Sequence, residues 1–265
     1  MMPLRPHGEV AIVLGAGRVR GLGAAIARRL SSEGARVVVS DLAAGTELET
    51  VAVQLRATGE SRAVPCDVTD PTMVERLFDV ALDTYGQVDT VVYSVGIGDV
   101  IEPLQRLEPA AWVRVLRINL DGAYHLLRAA ATTYERSGAG GSVVLLSSIG
   151  GRRGSPMLSA YNASKHGMIG LVRSAASELG PVGVRVNAVC PNHVTTDMGA
   201  AQNAILSDRR SQDIDTYLEE MRQRVPLRRL ATADDVAAAC AFLTSNDASF
   251  ITGVALDVNG GELMV

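Results

Sequence analysis

The segment Ser147-Ser148-Ile-Gly-Gly-Arg-Arg-Gly-Ser-Pro-Met-Leu-Ser-Ala-Tyr161-Asn-Ala-Ser-Lys165 brings a hydroxyl, a phenol and an ammonium into one short stretch. Ser148 closes an apolar run that reads as a strand. Tyr161 and Lys165 stand i, i+4 on an expected helix, so their side chains leave one face. A free tyrosine has a pKa of about 10 and is a poor base near neutrality. An adjacent ammonium, helped by the positive ring of an oxidised hydride carrier, favours tyrosinate and is expected to lower that value. Tyr161 would then trade a proton with a carbonyl or alcohol oxygen as hydride moves at the neighbouring carbon, with the Ser148 hydroxyl bonded to the same oxygen. Cation usage gives a second sign: of 25 lysine and arginine residues, only Lys165 is lysine. A preference for arginine that fails at this one position indicates that a planar fork cannot replace a compact ammonium there. A lone YxxxK pair is also an ordinary helix-stabilising contact; the company of Ser148 separates the two readings.

Hydride chemistry needs a carrier, and the N-terminal part supplies a place for one. The run 10–14 leads into Gly15-Ala-Gly17-Arg-Val-Arg-Gly21-Leu22-Gly23 and then a helical Ala24-Ala-Ile-Ala-Arg-Arg-Leu30. Glycines between a first strand and a first helix let the backbone approach a pyrophosphate, whose charge rests on unpaired N–H groups of the helix start. Gly15, Gly17, Gly21 and Leu22 are the candidate contacts. The interval from Gly15 to Gly21 is wider than usual, whereas Gly17-x-x-x-Gly21-x-Gly23 has the common spacing later. Either two residues are inserted or the turn begins at Ala16. Asp41 ends the second strand run, about 20 residues on, where an acid accepts both adenosine ribose hydroxyls and repels a 2′-phosphate. That favours NAD over NADP. Arg18 and Arg20 argue the other way, and a helix N-cap is the plain structural role for Asp41.

Around these groups the periodicity alternates. Short β-branched runs at 10–14, 36–40, 61–65, 88–93, 141–147, 184–189 and 254–258 read as strands. Amphipathic stretches at 22–33, 46–58, 71–85, 110–136, 161–179 and 232–244 read as helices between them. Such alternation predicts an α/β fold, a doubly wound parallel sheet of the Rossmann type in a single domain. The polar stretch at 197–225 interrupts the pattern and is read as a substrate lid, with an inert helical hairpin as the alternative. With 47% apolar residues and a net charge of −4, the chain has no electrostatic footprint for nucleic acid. It also lacks the run of about 18 apolar residues that a membrane span needs. No secretion signal is read, so the cytoplasm is expected. Cys66, Cys190 and Cys240 are scattered and odd in number, signalling neither a disulfide framework nor a metal site.

Taken together, these motifs make the chain resemble a short-chain dehydrogenase/reductase of the compact single-domain form, over nearly its whole length. The further signs are Cys66-Asp67-Val68-Thr-Asp70, Ile118-Asn119-Leu, Arg185-Val-Asn-Ala-Val-Cys-Pro191 and the ending Phe250-Ile-Thr-Gly-Val-Ala-Leu-Asp257-Val-Asn-Gly-Gly261. The resemblance implies a seven-stranded sheet of order 3-2-1-4-5-6-7 and an oxidoreductase that interconverts a secondary alcohol and a ketone. It implies a catalytic set of Asn119, Ser148, Tyr161 and Lys165, with Asn119 holding a water that links Lys165 to solvent. Asp67 and Val68 correspond to the adenine pocket, and Gly96 to the close approach near the cofactor. Tyr161 and Lys165 also touch the nicotinamide ribose, and Val194 and Thr196 the carboxamide end. It also implies a homo-oligomer, commonly a tetramer. The chain departs from the family where Tyr93-Ser94-Val95-Gly96 replaces Asn-Asn-Ala-Gly, where Pro191-Asn192 replaces Pro-Gly, and in the widened glycine loop. A catalytically idle dinucleotide-binding sensor or scaffold is the alternative function. Val95, Ile149, Met157, Leu158 and His193 are expected to line a mostly apolar substrate pocket. Arg152 and Arg153 are read as solvated, or as partners for an anion.

Overall fold

The computed structural model describes residues 8–42 and 46–265. Its strands are β1 (Val10–Leu14), β2 (Arg36–Asp41), β3 (Ser61–Pro65), β4 (Thr90–Tyr93), β5 (Gly141–Leu146), β6 (Val184–Pro191) and β7 (Ala255–Val258). All pair in parallel, in the order β3-β2-β1-β4-β5-β6-β7. The chain winds outward from β1 in one direction and from β4 in the other. A crevice therefore opens at the carboxyl ends of these two strands, the topological switch point of such sheets.

Both faces of the sheet are buried, and the strand residues alternate between them as the pleat requires. Ile12, Leu14, Val91, Tyr93, Val143 and Leu145 face one layer. Ala11, Val13, Val92, Val144 and Leu146 face the other. The first layer is completed by α3 (Pro71–Tyr85), α5 (Gly122–Ser137) and α6 (Ser159–Leu179) through Phe78, Leu126, Tyr134, Met168 and Val172. The second is completed by α1 (Leu22–Ser32), α2 (Thr46–Leu55) and α9 (Ala233–Thr244) through Ile26, Leu30, Val51, Val236 and Cys240. Helix boundaries follow local chemistry. Asp70 caps α3 by accepting from the Thr72 N–H, Pro71 sits in its first turn, and Gly86 ends it in the left-handed region. Thr232 and Asp235 close α9 with a reciprocal capping box.

The stretch 110–136 is not one regular helix. It is α4 (Pro109–Leu116), a π turn (Arg117–Asp121) and α5. A contact from the strand below holds the turn: the Tyr93 hydroxyl donates to the Ile118 carbonyl at 2.6 Å. Gly122 leaves room for it, since a Cβ there would collide with that oxygen. The polar stretch folds as α7 (Asp197–Arg209) and α8 (Ile214–Arg224).

Candidate active site

The carboxyl ends of the strands open onto a cleft of about 1160 Å³. At one end is the glycine loop. Gly15 lies in the left-handed region, with φ 82°, as β1 ends, and the N–H groups of Gly15 and Ala16 both donate to the Ser40 carbonyl. Gly23, in the first turn of α1, packs on the Gly15 carbonyl so closely that a Cβ would collide with it. The turn therefore begins at Gly15, and the extra two residues are an insertion before Gly21. The insertion is tied down by Asp41, whose Oδ2 accepts from the Gly17 N–H at 2.8 Å. A Cβ on Gly17 would stand 2.7 Å from the Asp41 Cβ, so only glycine permits this contact. Gly15, Gly21, Leu22 and Asp41 line the cleft, and Gly17 stands behind them. Helix α1 starts at Gly21 with no side-chain cap, leaving its first N–H groups for an anion.

Asp67 and Val68 follow β3. Asp67 Oδ1 accepts from the Thr69 N–H at 2.9 Å and its hydroxyl at 2.8 Å. Asp67 is thus a turn former, and the helix cap belongs to Asp70. Val68 and Asp67 both line the cleft. Nδ1 of His125, on α5, lies 2.9 Å from the Val68 carbonyl and braces this wall. That contact was not legible in the sequence, because the two residues are 57 positions apart. Arg18 and Arg20 pair loosely with Glu47, at 3.4 Å, and Asp197, at 3.7 Å. Such exposed pairs contribute little stability.

In the middle of the cleft the expected catalytic groups converge. Ser148 follows β5 and begins a short 3-10 turn (Ile149–Gly151), its Oγ accepting from the Gly150 N–H at 3.0 Å. Tyr161 and Lys165 project from α6 into the cleft beside it. Lys165 Nζ lies 5.7 Å from the Tyr161 ring centre and donates to the Leu146 carbonyl at 2.7 Å. Gly96 is where these groups crowd: a Cβ there would stand 3.3 Å from Lys165 Nζ and 3.6 Å from Asn119 Oδ1. Asn119 is fully buried in the π turn and is absent from the cleft wall. Its Oδ1 accepts from the Ile97 N–H and its Nδ2 donates to the Ile97 carbonyl and to Ser164 Oγ. The Ser164 hydroxyl in turn donates to the Tyr161 carbonyl at 2.7 Å, tying Asn119 to the backbone beneath the phenol. Thr196 caps α7 and Val194 pairs with Ala231, both on the opposite wall.

Without a bound cofactor, burial dominates the electrostatics of these groups. Burial pushes the Tyr161 phenol above its ordinary value, with only partial relief from its hydrogen bond with Ser148. Burial also lowers the Lys165 ammonium to about 8. In the protein alone, desolvation is the largest influence on both groups. The arginines after Ser148 correct an expectation. Arg152 is nearly buried against Asp257, 3.3 Å away, and Arg153 pairs with Glu262, whose side chain is only 5% exposed. Neither is simply solvated. The three cysteines are buried and free.

The cleft suits a dinucleotide. A left-handed glycine, an uncapped helix start and an acid at the end of β2 stand at one end, and a hydroxyl–phenol–ammonium set stands in the middle. These features define a nicotinamide-dependent oxidoreductase on a doubly wound sheet. Comparison with known proteins agrees. Residues 15–262 match the family model described as enoyl-(acyl carrier protein) reductase. A cis-4-hydroxycyclohexanecarboxylate dehydrogenase from Sinomonas cyclohexanicum is 40% identical, with 97% of each chain covered. A (3R)-3-hydroxyacyl-CoA dehydrogenase from Canis lupus familiaris is 35% identical, with 99% of each covered. The crystal structure of an NAD+-bound xylitol dehydrogenase superposes with a TM-score of 0.91 at 32% identity, covering 96% of this chain and 99% of that one. The chain belongs to the short-chain dehydrogenase/reductase family, and it is an oxidoreductase of secondary alcohols and ketones.

Proposed function

We propose that the protein is an NAD(H)-dependent dehydrogenase whose acid/base is Tyr161, acting on a ring-borne secondary alcohol of a small organic acid. The substrate class follows the 40%-identical relative, a cis-4-hydroxycyclohexanecarboxylate dehydrogenase. The observation that carries the chemistry is the convergence of Ser148, Tyr161 and Lys165 on one cleft at the carboxyl edge of the sheet. Gly15, Gly21, Leu22, Asp41, Asp67 and Val68 hold the adenosine diphosphate half of the cofactor, with Gly17 fixing Asp41 from behind. Gly96, Lys165, Val194 and Thr196 hold the nicotinamide half. When bound, the dinucleotide accepts or donates the hydride and, oxidised, brings a positive ring to the phenol. That charge would favour tyrosinate together with the Lys165 ammonium. During oxidation Tyr161 takes the proton from the alcohol oxygen, and during reduction it returns it to the carbonyl oxygen, which the Ser148 hydroxyl orients. Lys165 passes the proton onward, and Asn119 is a positioning residue that fixes the Ile97 loop and α6 around it.

The preference for NAD rests on Asp41, whose carboxylate is held at the ribose end by the Gly17 N–H. Helices α7 and α8 act as the substrate lid at 197–225; Gln202 Nε2 donates to the Gly98 carbonyl at 2.7 Å across the cleft mouth. The working form is a cytoplasmic homotetramer, as the family resemblance implies; exposed Tyr124, Phe250, Met264 and Val265 support association between copies. The test is Tyr161→Phe, which removes the ionisable hydroxyl alone. It should cut turnover by about 10²–10⁴-fold while NADH still binds as in the wild type. Turnover within a few-fold of wild type would overturn the assignment.

A further inference from the structure

We infer that Arg153 is the anion-recognition residue of the substrate end of the cleft, taking a carboxylate that the substrate carries away from its reacting carbon. This rests on the dehydrogenase reading above, and it names which residue meets the acid. The two arginines after the Ser148 turn have different fates. Arg152 turns away to Asp257 and is absent from the cleft wall. Arg153 lines the cleft together with Tyr161, Leu158 and His193 and keeps 38% of its side chain exposed.

Its partner Glu262 acts as a support rather than a competitor. One Glu262 oxygen accepts from Arg153 Nη2 and the other from Asn192 Nδ2 at 3.1 Å, so both are engaged by the protein itself. A guanidinium carries five donors in a rigid fork, so a carboxylate held at Nη2 leaves N–H groups free for a second acceptor. Burial is the main cause that keeps the neighbouring His193 imidazole below its ordinary value; Glu262 opposes it, and Arg153 and Arg224 add to it. The other guanidiniums on the wall, Arg18, Arg114 and Arg117, come from the glycine loop, α4 and the π turn, not from the loop that carries Ser148. Arg18 and Arg114 already meet Glu47 and Asp99. The same wall includes Ile149 and Leu158, apolar side chains that fit a hydrocarbon skeleton.

The test compares cyclohexanecarboxylate with cyclohexanecarboxamide, which have the same shape and differ in charge. Binding of each to the NADH-loaded protein is measured by calorimetry. In the wild type the acid should bind roughly 10–100-fold more tightly than the amide, the range for a hydrogen bond to a charged group. Arg153→Gln should abolish that preference and leave amide affinity unchanged. Because Arg153→Gln strands the buried Glu262, the double variant Arg153→Gln/Glu262→Gln is measured alongside and should show the same loss. A wild type that binds both compounds equally, or variants that keep the preference, would overturn the assignment. Turnover of hydroxylated ring acids with NAD+ is scored separately: its absence would sink the dehydrogenase reading while the binding ratio still judged Arg153.

Discussion

At the scale of single residues, Lys165 shows what the site costs the fold. It is 4% exposed, and burial lowers its pKa from 10.5 to about 8. Between those values the unfolded chain binds more protons than the folded one, so stability contributed by this group rises with pH across that window. Below about pH 8 both states are protonated, and the full desolvation cost, on the order of 3 kcal/mol, remains. Lys165→Met also loses the hydrogen bond to Leu146, which offsets part of the gain. It should still stabilise the cofactor-free protein by about 1–2 kcal/mol at neutral pH and abolish turnover. Urea unfolding at pH 7 and pH 9.5 checks this: the advantage of the variant should shrink at the higher pH. An advantage independent of pH would mean that the buried charge is not its source. The residue types and spacing of Ser148, Tyr161 and Lys165 were plain in the sequence, but how deeply they are buried was not. Spacing reveals that an ammonium is near, whereas the burial that raises the phenol in the cofactor-free protein depends on the whole surrounding wall.

At the scale of elements, the strands and most helices could be read because their periodicity is local. The π turn could not, because the contact that holds it joins Tyr93 and Ile118, 25 residues apart. Tyr93 stood in the sequence only as a departure from the family's asparagine. In the fold, its hydroxyl anchors the turn that carries Asn119, and so reaches the Ile97 loop and α6. Tyr93→Phe leaves the Ile118 carbonyl without that donor and should cost about 1–3 kcal/mol of stability. It should also lower kcat more than it raises KM for the dinucleotide, since it loosens the proton path rather than the cofactor cradle. An unchanged kcat in a destabilised variant would confine Tyr93 to a structural role. The glycine loop was half legible: its place between β1 and α1 was evident, whereas the choice between an insertion and a later start needed the packing of Gly23 on Gly15.

At the scale of the whole molecule, the cleft is assembled from segments between Gly15 and Gln202, so a ligand that fills it should stabilise the entire fold. NADH at a hundred times its dissociation constant adds about 2.7 kcal/mol, or roughly 5–10 °C in Tm for a chain of this size. NADPH at the same concentration should give a smaller shift, and Asp41→Ala should narrow the gap; equal shifts in the wild type would remove the case for NAD. The C-terminal contacts were beyond sequence reasoning altogether, because Arg153 and Glu262 are separated by 109 positions. The lone lysine has a last consequence. With its single side-chain amine sealed beneath the active site, the folded protein offers no lysine for acetylation, ubiquitin attachment or aldehyde fixation. Whatever reaches that amine must first enter the cleft, so chemical modification and inactivation become the same event.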